Sequence, residues 1–252
     1  MRRIAPDGQI TTVAGDGTAC TTPPVFNGVV SSGCGDGQAA TAAQLAGPYG
    51  VWVSPDGTLY IADGPRGLRA VSPSTGTIRT IPNSAGYDVR DVVGDATGTL
   101  YASARNPDYL IKIVMTGGGD AAVTKVVGTG TSGYNGNTTP FGSLAPGTSV
   151  QISRPQGLSV GLDGNIVFAD TGNSLIRSYE PRSGHVSDVL GGLVSFSGVP
   201  QPGFNGDGLY GDQTKLDRPL DVVATAANTY VVADTGNNRV REFGPSPIDD
   251  DP

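Results

Sequence analysis

Three stretches of the chain align without a gap from a proline to an aspartate: Pro48 to Asp63, Pro155 to Asp170 and Pro219 to Asp234. A degenerate fourth copy runs from Val89 to Ala104, with both end residues replaced. Internal repetition of this kind constrains the fold more than any composition figure, because each copy must adopt the same local structure and find the same neighbours. Inside a copy, a short apolar strand leads to an Asp-Gly turn (Asp56-Gly57, Asp163-Gly164) and a second apolar strand ending in Ala-Asp. The glycine supplies the positive φ that a tight hairpin needs. A polar turn follows (Asp170 to Asn173, Asp234 to Asn237), then an alternating strand (Leu175 to Tyr179, Arg239 to Phe243). A third turn (Pro73 to Gly76, Pro181 to Gly184) leads to a fourth strand (Thr77 to Ile81, His185 to Leu190). Each unit reads as a four-stranded antiparallel meander that cannot bury its faces alone. Meanders that repeat on this scale are the blades of a propeller.

The Gly-Val/Leu strand, the Asp-Gly turn, the Leu59 to Asp63 segment and the Asp234 to Arg241 segment resemble NHL repeats. The spacer from Gly35 to Leu45 is similar to the inter-blade spacers of extracellular bacterial NHL proteins and of the NHL propeller of teneurins and their YD-repeat relatives. The resemblance covers residues 2–244 and implies an all-β fold, an NHL-type β-propeller of four-stranded antiparallel blades. The propeller is expected over 1–244, with blade units at 2–15 (partial), 46–82, 86–129, 154–192 and 216–244, seventeen strands in all. About four blades and a partial one suit either a portion of a six-bladed ring, part of a larger polypeptide, or a smaller closed ring. Residues 245–252, rich in Pro and Asp, read as a disordered tail.

The side-chain inventory narrows the chemistry. Among 252 residues there is one histidine, His185, and there are two cysteines, so a zinc site of several His or Cys ligands cannot be assembled within the chain. No cofactor is expected. Sixteen basic against 23 acidic residues, a net charge of −7, oppose a phosphate-tracking nucleic-acid binder. No apolar run approaches the roughly 18 residues of a membrane helix, so membrane insertion is not expected. The basic N-terminus has no apolar segment behind it and does not read as a secretory signal. Cys20 and Cys34 have no further Cys or His near them for a metal site, and a disulfide between them is the natural reading, two unpaired thiols the alternative. A disulfide implies an oxidising compartment and hence an extracellular or cell-envelope location.

One face of such blades collects the second-to-third strand turns and the long spacers 16–45, 130–153 and 193–215. This is the candidate binding face, with Asp63, Asn106, Asp170, Asn173, Asp234, Asn237, Phe204 and Tyr210 as candidate contacts and Phe26, Tyr134, Phe141 and Phe196 as further aromatics. The Asp and Asn turns also suit a purely architectural role, bonding nearby backbone and pairing with Arg177 or Arg241. In the second blade, Ala104, Asn106 and Asp108 depart from the regular acid, which opens room for a local pocket. Gly35 to Gly37 and Asn205 to Gly208 have the look of calcium loops without the full ligand series. Trp52 reads as inter-blade core or as a sugar platform, His185 as an exposed turn residue, and Asn137 as a formal glycosylation acceptor.

The reading that follows is a non-catalytic extracellular or envelope propeller serving as a protein- or glycan-binding scaffold. The alternatives are a propeller lyase or lactonase with a carboxylate- or calcium-based site, and an RNA-binding NHL domain. One histidine and three lysines (Lys112, Lys125, Lys215) weigh against these.

Overall fold

A computed structural model describes residues 1–21, 33–117, 119–136, 141–192, 198–226 and 228–244. Phe26, Asn137, Phe196 and the tail 245–252 lie outside the described residues. The fold is all-β, made of antiparallel propeller blades with single 3-10 turns between strands. It divides into two compact units, Met1–Asn106 with Lys112–Thr124, and Pro107–Ile111 with Lys125–Pro252.

The first unit opens with a hairpin of β1 (Arg2–Ile4) and β2 (Ile10–Thr12). Next comes a four-stranded meander of β3 (Val51–Val53), β4 (Leu59–Ala62), β5 (Leu68–Val71) and β6 (Ile78–Thr80). A second meander starts here with β7 (Asp88–Gly94) and β8 (Leu100–Arg105) and continues in β9 (Asp108–Gly117) and β10 (Asp120–Gly130). In the second unit, β11 (Ala145–Pro146) precedes the meander of β12 (Pro155–Val160), β13 (Ile166–Asp170), β14 (Leu175–Glu180) and β15 (His185–Leu190). The unit ends in the three strands β16 (Asp221–Ala226), β17 (Thr229–Asp234) and β18 (Arg239–Phe243).

Among the described residues, one strand more than the repeat arithmetic appears. β11 is a piece of the 130–153 spacer that pairs with the outer strand β15, Ala145 opposite Val186 and Pro146 opposite His185. In the first unit Ala39 makes the matching single bridge to Thr77. A spacer crossing the rim in this way covers an edge that would otherwise offer unpaired backbone groups, and Pro146 stops it from templating further pairing.

Glycines set how closely blades approach. β3 and β4 pack on β7, and β12 and β13 pack on β16. A Cβ on Gly50 would lie 2.8 Å from the Cα of Asp91, and one on Gly157 would lie 2.7 Å from the Cα of Asp221. The glycine after the repeat's proline is therefore a contact requirement, imposed by the next blade's aspartate. Trp52 lies against Gly94 of the following blade and 5.7 Å from the Tyr60 ring, which places it in the packing between blades. Two equivalent cores result: Ile61, Val71 and Ile78 with Ala40, Ala43 and Leu45 of the first spacer, and Val167, Ile176, Val222 and Val232 with Leu216 of the last.

Candidate functional site

The strand-ending aspartates are the starting point. Asp63, Asp170 and Asp234 are all fully buried, and each turns one oxygen onto the backbone of the spacer just before its blade. Asp63 accepts from the N–H groups of Ala46 and Gly47 at 2.8 and 3.0 Å, Asp170 from Ser153 at 2.7 Å, and Asp234 from Asp217 at 2.8 Å. The other oxygen faces an arginine of the next strand: Arg69 at 3.7 Å, Arg177 at 3.2 Å and Arg241 at 3.2 Å. Each guanidinium also donates to a spacer carbonyl two residues before that backbone contact, Gln44, Gln151 or Lys215. Asn173 and Asn237 donate to their own blade's aspartate and to Gly133 or Gly203, all at 2.8 Å. Turn and spacer are thus tied together on one face in every regular repeat.

A second acid completes each arginine. Arg69 meets Asp36 at 2.6 Å, Arg241 meets Asp207 at 3.0 Å, and Arg177 meets Asp188 of β15 at 2.8 Å. The two segments with the look of calcium loops therefore direct Asp36 and Asp207 at arginines. Among the described residues, no group of three or more His, Cys, Asp or Glu could hold a metal ion. Burial is the largest influence on Asp63 and pushes its carboxyl up, against its backbone bonds and the arginines. In Asp170 burial outweighs Arg177, Ser153 and Asn173 and raises the carboxyl to about 6.

The spacers are held by an asparagine to which the sequence assigned other roles, Asn205 standing at the head of a segment with the look of a calcium loop. Asn135 donates to the Ser149 carbonyl and accepts from the Gln151 N–H; Asn205 does the same with Gln213 and Lys215. The signal was present as an aromatic-Asn-Gly triplet at 134–136 and 204–206. Its aromatic sits over the latch, with Tyr134 5.7 Å from the Arg177 guanidinium and Phe204 5.1 Å from that of Arg241 and 3.8 Å from that of Arg239.

Of the sequence candidates, Asp63, Asp170 and Asp234 sit beneath the face and hold it, Asn173 and Asn237 are half-buried at its base, and Phe204 and Tyr210 are exposed on it, at 40% and 62%. Tyr210 lines a groove of about 1030 Å3 between the last spacer and β18, with Phe141, Tyr230, Arg239 and Phe243. Asn106 is elsewhere, beside a cavity of about 460 Å3 in the first unit. Cys20 and Cys34 are joined in a disulfide.

The model of the teneurin NHL domain matches residues 1–94, and that of the NHL repeat matches residues 216–243. Teneurin-m of Drosophila melanogaster is 28% identical over 163 residues, 62% of this chain and only 6% of that much longer protein. An auxiliary nutrient binding protein from Bacteroides ovatus superimposes with a TM-score of 0.66 at 18% identity, covering 98% of this chain and 58% of that one. A virginiamycin B lyase from Staphylococcus aureus gives 0.51 at 17% identity, covering 98% and 63%. At these identities the structural likeness is one of fold, shared by binding proteins and enzymes. The repeat register, the blade topology and these matches agree: the chain has a β-propeller fold, similar over residues 1–94 to the teneurin NHL domain and over residues 216–243 to the NHL repeat.

Proposed function

We propose that the chain is a non-catalytic binding module that presents its spacer-bearing face to a protein or glycan partner. The observation that carries this reading is the last spacer. Asn205 and Arg241 fix its backbone from both ends, and it presents Phe204 and Tyr210 to solvent beside a groove. Aromatic side chains on a pre-ordered segment lose little entropy on binding, which is the usual basis of interface hot spots. The regular carboxylates of this face are engaged by arginines, an arrangement that gives rigidity and leaves recognition to the aromatics. The Cys20–Cys34 disulfide supports an extracellular or envelope setting, and the Teneurin-m likeness supports membership of a larger polypeptide.

The test is a panel of extracellular proteins and immobilised glycans probed with the wild-type chain and with a Phe204→Ala/Tyr210→Ala variant of unchanged circular dichroism and melting. Binding that falls tenfold or more in the variant supports the reading. Binding that survives there but is lost when the short turns at Asp56-Gly57 and Asp163-Gly164 are altered assigns recognition to the opposite face.

A further inference from the structure

The second blade breaks the repeat. Where the others have Asp63, Asp170 and Asp234, it has Ala104, and no long spacer precedes it. The latch is missing, and at that place lies the 460 Å3 cavity, lined by Gly47, Tyr49, Pro65, Asp88, Arg90 and Asn106, all within the first unit. Its charged groups, Asp88 and Arg90, both stand on β7 and tie down no spacer. Asp88 and Arg90 form an ion pair through Oδ2 and Nη2, while Asp88 Oδ1 and Arg90 Nε are buried without a hydrogen-bond partner. These two atoms are closed to solvent, as are Asp36 Oδ2, Asp63 Oδ2 and Arg69 Nε of the first blade, so the pair meets the cavity through the part that stays exposed, 13% of the Arg90 side chain and 17% of that of Asp88. Tyr49 is 58% exposed, and the Arg90 guanidinium stacks 4.0 Å from its ring centroid. Asn106 is held at φ +53°, a backbone conformation uncommon outside glycine and asparagine, at the cavity's edge.

We infer that this cavity is a subsite for a neutral polyhydroxylated ring, a pyranose unit of a glycan. A carboxylate and a guanidinium that neutralise each other offer acceptors and donors side by side without favouring an anion or a cation. Adjacent hydroxyls, each both donor and acceptor, match that set. An exposed tyrosine supplies an apolar platform for the ring's C–H face, with its polar end free for water or ligand. The asymmetry supports a ligand role as well: three repeats keep one architectural solution, and the second blade replaces it with a hole, an aromatic and an ion pair at the rim. The site shares no residue with the Phe204–Tyr210 surface, so either can fail alone.

The test is a titration of the isotope-labelled chain with methyl pyranosides of glucose, galactose and mannose, following backbone amide shifts. At least one glycoside is expected to give saturable shifts at Gly47, Gly86 and Asn106 with a Kd on the order of millimolar, as suits a single sugar ring with few contacts. Tyr49→Ala, at an exposed position, and Asn106→Gly, which preserves the positive φ, should each weaken it about tenfold while the circular dichroism spectrum stays that of the wild type. Absence of saturable shifts with every glycoside overturns the proposal. So do shifts that map to Phe204 and Tyr210 instead, or tighter binding of glucuronate or choline than of the neutral sugars.

Discussion

At the residue scale, the molecule repeats one electrostatic unit with graded burial. Arg69 faces two nearly inaccessible carboxylates, Arg177 faces two that are buried, and Arg241 faces buried Asp234 and exposed Asp207. Burial disfavours a charged carboxylate, and the guanidinium and hydrogen bonds beside it offset that only in part. Asp170 is where this is felt most, its carboxyl raised to about 6. An unfolded aspartate titrates near 3.9, so between these values the native chain holds more protons than the unfolded one. The contribution of Asp170 to stability is therefore greatest below about pH 4, falls as the pH rises toward 6, and is level above it. Urea unfolding of the wild type and of Asp170→Asn between pH 4 and 7 checks this. The stability of the wild type relative to the variant should fall by about 2–3 kcal/mol across that range, taking about 1.4 kcal/mol per unit. A difference independent of pH would show Asp170 to be ionised throughout.

At the element scale, the inner strands are matched by a glycine on one blade and an aspartate on the next, Gly50 with Asp91 and Gly157 with Asp221. Asp221 caps its own strand by accepting from the Val222 N–H at 2.8 Å, and burial raises its carboxyl, against that bond. Gly157→Ala should cost about 1–3 kcal/mol through overpacking, because the new Cβ meets backbone as well as a side chain. Adding Asp221→Ala should recover only part of it, since the Cα of residue 221 would still lie 2.7 Å away. Thermal unfolding of the single and double variants measures both; full recovery would mean that the carboxylate alone sets the approach. The same geometry shows why the repeat's Pro-x-Gly was readable as a strand start while the reason for its glycine was not. The glycine answers to a residue 64 positions later in one pair and 41 later in the other.

At the scale of the whole molecule, the chain carries a net charge of −7 and one disulfide. Cys20 and Cys34 close a sequence separation of 14 with Cα atoms 5.6 Å apart. Thiol titration under denaturing, non-reducing conditions should find no free cysteine, and reduction should lower the unfolding free energy by about 3 kcal/mol in the chain-entropy account. Two titratable thiols would remove the support for an oxidising compartment. The sequence by itself determined the strands, the Asp-Gly turns and the blade class, because two-residue alternation and turn chemistry act between near neighbours. It also limited any disulfide within the chain to Cys20 with Cys34, since no other cysteine exists, while the bond itself is seen in the structure. The tertiary structure alone decided that Asp36 and Asp207 serve arginines, that Asp188 completes the Arg177 pair, and that Tyr49, Asp88, Arg90 and Asn106 surround one cavity. Those residues lie on separate strands and loops up to 57 positions apart, and only the folding and stacking of blades brings their side chains within reach of one another.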